Sequence, residues 1–77
     1  NMKELIGKKF EVITVNHPSG GSYQKISDED YNFIKTELGA TRLRIWLPGT
    51  IGTADLRSDR YNVHLSGDGV VKSIDVG

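Results

Sequence analysis

The feature that most constrains this chain is a long polar stretch, residues 47–60, set between two short segments of alternating apolar and polar residues. Before it, residues 42–47 place Leu43, Ile45 and Leu47 on one face and Arg42, Arg44 and Trp46 on the other. After it, residues 61–66 turn Tyr61, Val63 and Leu65 inward and leave Asn62, His64 and Ser66 outward. A period of two predicts a strand on each side. The stretch between them is too long for a tight hairpin turn and too short to hold a core of its own. Connections of this length in a small domain are uncommon, and they are usually functional or disordered. The expectation is a rigid loop held out for a partner to grip.

The rest of the chain supplies the scaffold for such a loop. Residues 4–8 read as a turn or a frayed strand start around Gly7. Residues 9–15 are rich in β-branched side chains and predict a strand with Phe10, Val12 and Thr14 on one face. Residues 16–22, with Pro18, Gly20 and Gly21, read as a loop. The paired glycines lack the lysine and the spacing of a phosphate-binding loop. Residues 27–38 predict a helix. Ser27 is its N-cap, and Asp28, Glu29 and Asp30 lie at the positive end of its dipole. Tyr31, Ile34 and Leu38 form the apolar stripe with Phe33 at its border, and Ile26 pairs with Tyr31 across the cap. Gly39 takes the left-handed position after the last turn. Gly67, Asp68 and Gly69 form a compact turn, and residues 70–76 predict a final strand antiparallel to the one before it.

Composition excludes several function classes. Seventy-seven residues make one domain with a modest core. Ten basic and ten acidic residues cancel, which leaves no basic field for nucleic acid or an anionic membrane. There is no cysteine, hence no disulfide and no cysteine-based zinc site. No signal peptide or membrane-spanning run is legible, and the compartment stays open between the cytosol and a mature secreted form. His17 and His64 stand far apart, and the acids at 28–30 are explained by the helix start, so no metal is expected. No serine sits in a nucleophile elbow. Asp55 and Asp59 are interleaved with Arg57 and Arg60, neighbours that keep carboxylates ionised and unsuited to general-acid work. An enzyme is not expected, and no cofactor is.

The loop itself has the composition of an extended, braced ribbon. Pro48 and Gly49 mark the exit from the strand, and Thr50, Ile51 and Thr53 favour extended backbone. Arg57 and Arg60 offer planar, multi-donor cations to a neighbouring carboxylate or carbonyl. A web of Asp55 with Arg57 or Arg60, joined by the Thr53 hydroxyl, would tie the ribbon down. The plainer alternative is a solvated surface loop whose ion pairs contribute about 0–1 kcal/mol each.

Residues 4–8, residues 47–60 and the closing Val76 and Gly77 together resemble the potato inhibitor I family of serine protease inhibitors, the barley chymotrypsin inhibitor and eglin type. Residues 60–63 and the Gly-Asp-Gly turn are similar to the related fungal and bacterial elastase inhibitors. The likeness covers residues 4–8 and about residues 42–77. Its core is Gly-Thr-Ile-x-Thr-x-Asp-x-Arg-x-Asp-Arg at residues 49–60. The resemblance implies an α+β fold: a single domain, residues 1–77, with one helix packed on a three- to four-stranded mixed sheet. A long exposed binding loop, about residues 48–60, then joins two parallel strands. It also implies standard-mechanism inhibition, in which the loop enters a protease as an extended substrate and is cleaved slowly. The reactive bond falls between Ala54 and Asp55. The contact residues become Ile51, Gly52, Thr53 and Ala54 before that bond and Asp55, Leu56 and Arg57 after it. Arg60 becomes the scaffold arginine bracing the loop from beneath, with Thr53 and Asp55 as its partners. The small Ala54 suits a subtilisin-like or elastase-like pocket, and Ile51 suits the extended cleft of a subtilisin.

The chain departs from the family pattern at four places. Asn62 stands where potato-type members often carry a second bracing arginine, as in the fungal-type relatives. Val76 stands where those relatives often close a disulfide. Gly52 is a freer backbone position than a usual loop residue. Residues 9–26 are longer than the corresponding region of the family. The expected partner is a serine protease met by a monomer, and the competing expectation is a non-inhibitory protein-binding module on the same fold.

Overall fold

The computed structural model describes residues 2–52 and 57–77. Among them the chain forms α1 (Met2–Leu5), β1 (Val12–Asn16), β2 (Ser22–Ile26), α2 (Asp28–Leu38), β3 (Arg42–Trp46), β4 (Arg60–Leu65) and β5 (Val71–Val76). The class is α+β: one main helix, a two-stranded antiparallel hairpin β1–β2, and a separate three-stranded mixed sheet ordered β3-β4-β5.

α2 forms where the sequence signals place it. The Ser27 hydroxyl oxygen accepts from the Asp30 amide at 3.0 Å, so the N-cap works as expected. Gly39 ends the helix at φ 62°, and the Gly39 and Ala40 amides donate to the carbonyls of Thr36 and Lys35. The helix buries Ile34 completely, and the Tyr31 hydroxyl donates to the Leu43 carbonyl at 2.8 Å, tying helix to sheet.

In the mixed sheet, β3 runs parallel to β4, with Arg42 opposite Arg60 and Arg44 opposite Asn62, and β4 runs antiparallel to β5. One face packs Leu43, Val63, Leu65 and Val71 into a core completed by Leu5, Phe10, Ile26, Ile34 and Leu47. The opposite face is only partly open to water. Arg60 and Asn62, alternating with the core residues, are each only 7% exposed. Trp46, Asp75 and Gly77 close over Asn62 with hydrogen bonds, which withdraws it from the outward position its alternation predicts.

Three further elements differ from the sequence expectation. Residues 4–8 are neither turn nor strand throughout. α1 carries Leu5 into the core at 1% exposure, and a turn at Gly7 follows. The predicted strand over 9–15 begins later, at Val12, because Lys9 and Phe10 are engaged by the β4–β5 turn. Lys9 bridges Val70, and the Phe10 amide donates to the Gly69 carbonyl at 2.8 Å. Gly69 is required there, with φ 85° and no room for a Cβ against the Phe10 carbonyl. Finally, Ser22, expected in the loop over 16–22, opens a strand, Ser22–Ile26, whose remaining residues carry no strand signal in the sequence. It pairs with β1 from Asn16 opposite Ser22 to Val12 opposite Ile26. Only Ile26 of β2 is buried, so the hairpin has no apolar alternation to announce it. Its turn, closed by the His17 amide on the Gly21 carbonyl, and the tilted ring contact of Tyr23 with His17 at 4.8 Å hold it instead.

Candidate functional site

The β3–β4 connection leaves the sheet at Leu47 and returns at Arg60. Parallel neighbours need a crossover of a dozen or more residues, most often a helix. Among the described residues this crossover has none. Its first corner is a turn: the Thr50 amide donates to the Leu47 carbonyl at 2.9 Å, and the Leu47 amide donates to the Thr50 hydroxyl oxygen at 3.0 Å. Gly49 within that turn has φ 85°, a value that favours glycine. Beyond the turn, Ile51 is 96% exposed, an apolar side chain with nothing of its own chain over it.

Gly52 lies on a floor. A Cβ built there would stand 2.5 Å from Cη2 of Trp46 and 2.8 Å from Nη1 of Arg44. The glycine expected to be a loose point is therefore a tightly packed one. The floor is itself fixed. Trp46 Nε1 donates to the Asn62 carbonyl oxygen at 3.1 Å, and the indole stacks on His64 with centroids 6.1 Å apart. The Arg44 guanidinium lies over the Trp46 ring at 5.4 Å. Nη1 of Arg44 is buried without a hydrogen-bond partner. A buried donor left unmatched costs about 1–3 kcal/mol, more when it is charged.

On the return side, Arg57 Nε donates to Asp59 Oδ1 at 3.3 Å and Arg42 Nε donates to Asp59 Oδ2 at 3.0 Å. One carboxylate thus ties the end of the connection to the first residue of β3. Desolvation raises the Asp59 pKa, but the hydrogen bonds from Arg57, from its own backbone amide and from Arg42, together with the Arg57 charge, outweigh it, so the carboxyl sits below its ordinary value of 3.8. All three side chains are between 39% and 54% exposed, so solvent screens both pairs and neither adds much to stability. Their value is geometric: they limit where the returning backbone goes.

At the start of β4, Arg60 Nε donates to the Gly77 carbonyl at 2.8 Å, and the Gly77 amide donates back to the Arg60 carbonyl. Asn62 Nδ2 donates to Asp75 Oδ1 at 2.9 Å and to the Gly77 carbonyl at 3.1 Å, while its carbonyl oxygen accepts from Trp46. His64 Nε2 lies 3.0 Å from the other Asp75 oxygen. A buried network therefore runs from the C-terminal residues through Asn62 to the tryptophan under Gly52.

Of the sequence-predicted site residues, Ile51, Gly52 and Arg57 lie on the connection, and Arg60 and Asn62 are buried residues of β4. Thr53, Ala54, Asp55 and Leu56, and with them the expected web around Asp55, lie outside the described residues. The described partner of Arg57 is Asp59. Sequence reasoning missed Arg42, Arg44, Trp46 and Asp59 as supports. The signal was present: Arg42, Arg44 and Trp46 alternate along one face of β3, and a parallel neighbour implies that this face is covered. Among the described residues no group of three His, Asp or Glu converges to hold a metal, and no helix is long and apolar enough to cross a membrane. Comparison with known proteins returns no match to any family model, curated protein or solved structure.

Proposed function

We propose that this chain is a standard-mechanism inhibitor of a serine protease of the subtilisin or elastase type. The residues presented to the protease are Ile51 to Arg57, and the reactive bond joins Ala54 to Asp55. The observation that carries this reading is the helix-free connection between two hydrogen-bonded parallel strands, tied at its exit by the Leu47–Thr50 turn and at its return by Asp59. A ribbon ordered before it meets its partner loses little conformational entropy on binding, which is how a small contact reaches high affinity.

The same topology accounts for slow cleavage. A cut within the connection leaves one new end attached to β3 and the other to β4, strands that remain neighbours in one sheet. The ends stay at high effective concentration, and religation competes with release. Arg60, buried at the start of β4 and anchored to Gly77, keeps the return strand in place during that competition. The exposed Ile51 is the apolar side chain offered to an extended cleft, and Ala54 is small enough for a shallow primary pocket.

The test is a titration of a subtilisin and of a pancreatic-type elastase with the protein, with residual activity and intact mass followed together. Stoichiometric loss of activity at nanomolar concentration, with at most one slow cut between Ala54 and Asp55, is the expected result. Full protease activity at large excess overturns the proposal and leaves a protein-binding module on this fold.

A further inference from the structure

The side chain that the proposed mechanism leaves unexplained is Arg44. It stands on β3 directly across from Asn62, with its guanidinium against Gly52 of the connection. Its guanidinium is held over Trp46, and its buried Nη1 touches the Gly52 backbone region while meeting no acceptor. Asn62, its neighbour in the sheet, spends both its amide hydrogens and its oxygen on Asp75, Gly77 and Trp46, so it has nothing left to give the connection. A guanidinium is costly to bury with an empty donor unless an acceptor arrives in another state.

We infer that Arg44 is a second loop-positioning residue, whose vacant Nη1 donates to a main-chain carbonyl of the connection when a protease holds it. This rests on the inhibitor reading and adds a residue to it. Trp46 sets the height of the floor, and Arg44 supplies the charge-assisted hydrogen bond made in the engaged state. Because that bond is missing in the free protein, its loss weakens the complex without weakening the fold. A purely structural arginine would do the reverse.

The experiment compares wild type, Arg44→Met and Arg44→Lys for inhibition of subtilisin, for thermal midpoint, and for hydrogen exchange of the amides of residues 49–59. Methionine keeps the stem against Trp46 and removes every donor. The expected result is inhibition by Arg44→Met weakened ten- to hundredfold, a thermal midpoint equal to or above that of wild type, and partial recovery in Arg44→Lys. Unchanged inhibition in Arg44→Met overturns the inference, as does a loss that tracks a falling thermal midpoint. If wild type itself fails to inhibit, the inhibitor reading falls, and the engaged-state bond of Arg44 falls with it. In the free protein the connection is expected to exchange alike in wild type and Arg44→Met, because the bond is absent there; faster exchange in the free variant overturns the inference while leaving the inhibitor reading standing.

Discussion

Gly52 is the residue whose role changes most between sequence and structure. Its backbone does not need a left-handed conformation; it needs the absence of a Cβ against Trp46 and Arg44. The arginine tip can swing away, but the indole is fixed by Asn62 and His64. Gly52→Ala is therefore expected to lower stability by about 1–3 kcal/mol through overpacking. A glycine that served only as a flexible joint would give the opposite sign, since alanine would restrict the unfolded chain and stabilise by about 0.4–1 kcal/mol. The thermal midpoint of the alanine variant decides between the two, and a rise would remove the packed floor from this account.

At the scale of elements, the pairing of the connection's end with the start of β3 depends on one carboxylate. Asp59 in the folded chain titrates below its ordinary 3.8. A depressed folded pKa contributes stability that is fully present above the unfolded value and is lost as pH falls through the folded one. The tie between β3 and the return of the connection is thus expected to be fully present at neutral pH and to loosen as pH falls below the ordinary carboxylate value. A carboxyl-carbon NMR titration of Asp59 checks this. A midpoint at or above the ordinary value would mean that Arg42 and Arg57 do not hold it in solution. Asp59→Asn removes the tie at every pH and is expected to speed loop proteolysis at neutral pH with little change in overall stability.

For the whole molecule, the core is small and shared. Leu5 from α1, Ile34 from α2, Val63 from β4 and Val71 from β5 are its fully buried side chains. A domain of this size has roughly 4–12 kcal/mol of stability in all. Ile34→Ala is expected to cost about 2–5 kcal/mol, a large share of that total. Urea unfolding should show a midpoint lowered by a third or more, with any inhibition falling in step. That coupled loss is the pattern Arg44→Met is expected not to show. An Ile34→Ala midpoint within error of wild type would mean that helix and sheet are held together by something other than this contact.

The sequence by itself determined the elements whose signals are local. The Ser27 cap, the Gly39 stop, the alternation of β3 and β4 and the turn at Gly67–Gly69 each follow from neighbours a few positions apart, so α2, both flanking strands and the length of their connection were legible. Tertiary structure decided the rest because the deciding partners are distant in the chain. Phe10 is captured by Gly69, which delays β1. β2 exists because β1 offers it an edge, with little apolar pattern of its own. The polar face of β3 and β4 is partly buried through partners far away in the chain: Arg60 meets Gly77, Asn62 meets Asp75 and Gly77, and Trp46 and Arg44 lie against Gly52. Whether Arg44 and Asn62 face water or one another was settled there, since a period of two tells apart the faces of a strand but not what comes to cover them.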